Sequence, residues 1–171
     1  MKTMTSAYAN KLLRSLEEDK AFWANKEETS STYVVAINEE AVVPEYDYAE
    51  VAATIAELDE KIAIIKHALN VANATAKVPV GDVEMSIDTI LIKMAQLNKR
   101  KSVLDMMRKQ LPKARVEQNA YMSRNSVPEY RYINYDLELI KKEYESVSTK
   151  IMEMQMALDK YNQTVQFEVD I

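Results

Sequence analysis

The chain of 171 residues has a formal net charge of −5, is 47% hydrophobic, and holds one histidine, one glycine and no cysteine. This length predicts a single helical domain over 1–171 with a core that needs no covalent staple, and the missing cysteine excludes disulfides, thiolate metal sites and thiol nucleophiles. With Gly81 as the sole glycine, phosphate-cradling loops, dinucleotide-binding turns and tight hairpins are all expected to be excluded.

The first predicted element is a helix over about 6–28. Ala9, Leu13, Leu16 and Trp23 line one side, with Lys20 among them. The N-terminal residues contain no apolar stretch of signal-peptide length. No later segment approaches the roughly 20 apolar residues of a membrane span, so a cytoplasmic protein is expected. After Thr29-Ser30-Ser31, the β-branched and aromatic run Tyr33-Val34-Val35-Ala36-Ile37 predicts a strand over about 32–37.

A second helix, about 47–73, carries Val51, Ile55, Leu58, Ile62, Ile65, Leu69 and Ala72 at alternating steps of three and four. That spacing makes a coiled-coil-like seam, and Asp47 with Glu50 suggests a capping box at its start. Residues 74–85, with Pro79 and Gly81, read as a loop. A third helix, about 86–110, starts from Ser86 as N-cap and runs through Ile87, Ile90, Met94, Leu97 and Leu104. Lys101 and Arg108 interrupt its stripe.

Residues 112–128 read as the longest loop and the expected place for mobility. Tyr130 to Ile133 alternate and predict a strand over about 129–134. The fourth helix, about 135–164 with Asn134 as N-cap, has the clearest seam: Ile140, Tyr144, Val147, Ile151, Met154, Leu158 and Tyr161. A last strand is predicted over about 165–169. Together these predict a mainly α protein, a four-helix antiparallel bundle with a small two- to three-stranded sheet at one end. No strict internal repeat is evident, but one echo stands out. Helices two and four both close on Asn-x-Thr, at Asn73-Ala74-Thr75 and Asn162-Gln163-Thr164.

Few residues suggest chemistry. His67 falls opposite the seam and reads as a surface residue, since a triad or a zinc site needs partners it lacks. The acidic runs lack the Glu-x-x-His spacing of di-iron bundles and the glycine-centred ligand pattern of a calcium loop. No catalytic residue, cofactor or metal site is expected. Met106, Met107, Met152, Met154 and Met156 read as core packing rather than soft-metal ligands. The sharpest charge asymmetry is the basic stretch 93–115, where Lys99, Arg100, Lys101, Arg108, Lys109 and Arg115 stand out as a surface for an anionic partner. Nucleic acid is disfavoured there because no aromatic interleaves with the charges. Tyr130, Tyr132 and Tyr135 read as strand neighbours packing beneath helix ends.

The runs Ile64 to Thr75, Ser86-Ile87-Asp88 and Ala95 to Lys101, with the closing Asn162-Gln163-Thr164, resemble the septicolysin-like family. These are small bacterial helical proteins, some carrying a cytolysin label. The resemblance covers most of the chain and implies a helical bundle with a minor strand element; it brings no active-site residues. The expectation is therefore a non-enzymatic interaction or structural protein that forms a homo-oligomer and takes a further protein partner. A membrane-active protein is the alternative, and a nucleic-acid-associated protein using helix 93–115 the third.

Overall fold

The computed structural model describes residues 1–116 and 127–171. The protein is mainly helical, with small two-stranded antiparallel sheets. In chain order it forms β1 (Lys2–Thr5), α1 (Ser6–Ser30), α2 (Tyr48–Thr75), β2 (Lys77–Val80), β3 (Val83–Ser86), α3 (Ile87–Arg108), β4 (Lys113–Arg115), β5 (Tyr130–Tyr132), α4 (Leu137–Thr164) and β6 (Gln166–Val169).

The helices pack chiefly as two antiparallel pairs, α1 on α2 and α3 on α4, with much sparser contact between the pairs. At 28 residues, α2 and α4 are each about 42 Å long. Each therefore extends well past the strands at its C-terminus. Strands β1 and β6 form one antiparallel ribbon, β2 and β3 a second, β4 and β5 a third. The first two lie at the shared end of both helix pairs. The third caps the far end of α3 and α4. For convenience the two helix pairs are called the first and second arms.

The order of elements is a β-α-α-β unit stated twice. α2 and α4 have equal length, each begins behind an aspartate N-cap (Asp47, Asp136), and each ends on Asn-x-Thr. Strand registers repeat as well: Met4 pairs with Phe167 and Thr5 with Gln166, just as Met85 pairs with Val78 and Ser86 with Lys77. The strands are exchanged, so that β6 packs on α2 and β2 on α4. One core joins Met4, Ala9, Leu13, Ile62 and Ile65 to Val169; its counterpart joins Ile87, Ile90, Met154 and Leu158 to Val80. A third cluster, Leu104, Ile140 and Val147, holds the far half of the second arm. The Asn-x-Thr echo is thus the visible trace of a two-fold internal relationship that sequence patterning does not otherwise disclose.

Several expectations are corrected. Residues 32–37 form no strand; Val34 and Ile37 are fully exposed, because β propensity has no effect without a partner strand. The predicted small sheet is, among the described residues, three separate ribbons. Three of their strands come from segments read as loops (β2, β3 and β4), and β1 from residues given no element. Gly81 makes the β2–β3 hairpin possible after all. Its φ is +58° and, among the described residues, no non-glycine residue has positive φ, the pattern of a two-residue turn with glycine first. One glycine suffices for one tight turn. Helix α4 is capped by Asp136, which accepts from the N–H groups of Glu138 and Leu139, rather than by Asn134. Ser86 occupies the N-cap position of α3, but its hydroxyl turns to Asp88 and Thr89 instead of the backbone. Part of the expected loop 112–128 lies outside the described residues.

Candidate interaction surface at the arm ends

The six basic residues singled out in 93–115 do not share one face. Arg100 donates to Glu143 on α4 at 3.0 Å. Lys101 and Arg108 project over the ring of Tyr144, with Arg108 4.0 Å from its centroid. Arg108 and Lys109 both bind Asp105, and these hydrogen bonds hold the Asp105 carboxyl below its ordinary pKa. Asp105 in turn raises Arg108 further. Lys99 faces solvent on the opposite side of α3. Arg115 lies on β4. Four of the six are therefore engaged along the second arm, where they join its helices or hold one acid.

A different grouping appears at the far end of that arm. The β4–β5 ribbon carries Lys113 and Arg115 on one face, opposite Tyr132 and Tyr130, and Arg131 on the other, opposite Ala114. Lys113 lies 4.3 Å from the Tyr130 ring centroid and 5.5 Å from that of Tyr132. Both rings are exposed, whereas Tyr135 turns inward and donates to the Met107 carbonyl at 2.7 Å. The tyrosines thus divide between ribbon surface and helix end. Among the described residues, Arg115 and Arg131 have no ion-pair partner.

The far end of the first arm has the opposite character. Between α1 and α2, residues 31–47 hold Glu39, Glu40, Glu45 and Asp47 and no basic residue. Tyr33, Val34, Val35, Ile37, Val42 and Val43 are all exposed there. Among the described residues, the backbone hydrogen bond within 33–46 runs from the Glu39 N–H to the Ala36 carbonyl. Tyr46 closes the segment beside Glu27; burial first, then that carboxylate, raises its phenol pKa. Residue types in 32–37 favour a strand, but only the fold shows that no partner strand lies beside them among the described residues.

The other candidates fall as follows. His67 is exposed on the outer side of α2. Met154 is buried and Met107 packs on the third cluster, but Met106, Met152 and Met156 are exposed, contrary to a core role. Among the described residues no three acidic or histidine side chains cluster to hold a metal, and no helix is long and apolar enough to cross a membrane.

No family model and no curated protein matches the chain. It is similar in structure to a functionally unknown conserved protein from Corynebacterium diphtheriae. The TM-score is 0.67 at 14% identity, and the match covers 98% of this chain and 100% of that one. At that identity the likeness extends to the fold.

Proposed function

We propose that this chain is a non-enzymatic, cytoplasmic interaction protein that assembles with copies of itself, and that it is a septicolysin-like protein of bacterial type. In this reading the four helices form an antiparallel bundle only beside the two shared ribbons and part into two arms beyond them. The contact between copies is made by the arm ends. The strand-prone segment Tyr33–Ile37 of one copy adds to the open edge of β5 in another, while Glu39, Glu40 and Glu45 meet Lys113, Arg115 and Arg131.

One observation carries the proposal. Val34 and Ile37 are fully exposed in a segment whose residue types favour a strand and whose backbone lacks a ladder. An unpaired strand of this kind is a template for strand addition, and the two arm ends are opposite in charge. Light scattering after gel filtration tests the proposal. A dimer or larger closed assembly at micromolar concentration supports it; a strict monomer at high concentration contradicts it.

A further inference from the structure

The internal repeat allows each side chain of the second half to be compared with its counterpart in the first. In the first half, Leu12 of α1 and Ile64 of α2 pack against the core beneath β6, joined by Phe167 and Ile171. The corresponding positions in the second half hold Lys93, Glu153, Val78 and Asp82. Two large apolar side chains have become charged, one aromatic has become valine, and the terminal isoleucine has become a turn aspartate. Charged groups cannot cover an apolar floor without losing their hydration, so they stand apart from it.

The result is a solvent-open cleft of about 480 Å³ between the β2–β3 ribbon, α3 and α4. Val80, Met85, Leu97 and Met154 form its floor; Val80 and Met154 belong to the second core itself. Lys93 and Gln96 on α3 face Lys150 and Glu153 on α4 across the rim. None of the three charged residues has an ion-pair partner among the described residues. The volume lies within the range of about 300–1,000 Å³ typical of small-molecule sites, which combine an apolar lining with a few polar groups.

We propose that this cleft binds an amphiphilic anion, a medium-length apolar chain ending in a carboxylate. The chain would lie on Val80, Leu97 and Met154, and the carboxylate would sit between the Lys93 and Lys150 ammonium groups. Glu153 offsets one of these two cations, and the other remains to bind the ligand. A cationic amphiphile would meet two like charges against one carboxylate. This site is independent of the arm-end contact, which lies at the opposite ends of the helices.

The test uses the full chain and isothermal titration with decanoate below its micelle concentration, with decyltrimethylammonium as the cationic control. The variant combining Lys93→Leu with Glu153→Ile restores the residues of the first half. It is expected to fold, to melt at a higher temperature than the unaltered chain, and to lose decanoate binding at least about tenfold. Lys150→Gln, a surface change that leaves the apolar floor intact, is expected to weaken decanoate and leave decanol unchanged. Decanoate binding that survives the double substitution, or equal binding of the cationic control, overturns the site. So does unaltered decanoate affinity in Lys150→Gln.

Discussion

The Tyr161 hydroxyl donates to the carbonyl of Ala72, its own counterpart 89 positions earlier, at 3.4 Å. Two equivalent positions of α2 and α4 thus touch across the internal two-fold relationship, one supplying the ring and the other the small residue that makes room for it. The same Ala72 carbonyl also accepts the Ala76 N–H at the end of α2. This contact between the arms, beside the exchanged strands, thus uses a tyrosine that only one half carries.

Tyr161→Phe removes that bond without orphaning the carbonyl, because Ala76 still donates to it. The expected loss is near the low end of the about 0.5–1.5 kcal/mol of an ordinary hydrogen bond, read by urea unfolding with an unchanged m-value. A loss beyond 3 kcal/mol, roughly double the upper end of that range, would show that the ring rather than the hydroxyl had been disturbed.

Burial raises the Tyr161 pKa above 10.0, with nearby Ser6 opposing the shift. A folded-state pKa above the unfolded value means that the native state holds its proton longer. The stabilising contribution is complete below pH 10 and is lost as pH rises through the folded pKa. Stability of the native chain should thus fall above pH 10. Tyr161→Phe should lessen that dependence, with the slope from Tyr46 remaining. Alkaline unfolding curves for the two proteins check this; parallel curves would contradict it.

Gly81 has φ +58° and open space where a Cβ would stand. Gly81→Ala should therefore cost about 1–2 kcal/mol through backbone conformation alone. Because the turn joins β2 to β3 beside the second core, thermal melting should drop with no change in helical circular dichroism. A neutral result would remove the conformational argument.

Ile65 and Met154 occupy equivalent positions in the two cores, at 0% and 6% exposure. Truncation of either to alanine should cost about 2–5 kcal/mol. Ile65→Ala is expected at the higher end, since its site is enclosed by Leu12 and Ile64, whereas Met154 borders the open cleft. Denaturant midpoints decide the order.

The helices were legible because Val51, Leu58, Ile62 and Ile65, or Ile140, Val147, Met154 and Leu158, recur at helical spacing and are indeed the buried residues. Of the ribbon strands, β5 and β6 were legible from their alternation, whereas β1 to β4 were not, because strands as short as Lys77–Val80 show no clear period and depend on a partner. β1 illustrates this most clearly: Lys2–Thr5 has little strand character, yet Val169 at the other end of the chain fixes it. For Tyr33–Ile37 the opposite holds, a strong pattern with no partner strand among the described residues. The basic stretch was legible as charge but not as a site, since Glu143 and Tyr144, which engage Arg100, Lys101 and Arg108, lie on α4 and only packing brings them alongside α3.

Cross-linking between copies tests the arm-end assembly most directly, and a chain without cysteine gives no background. Val35→Cys and Arg131→Cys are prepared as separate proteins, mixed and mildly oxidised, with Asn10→Cys as the exposed control. Paired strands bring opposite side chains within disulfide reach, so the account predicts a mixed disulfide between the first two far above that formed with the control. Yields no higher than the control, from a mixture that scatters light as monomers, would contradict it.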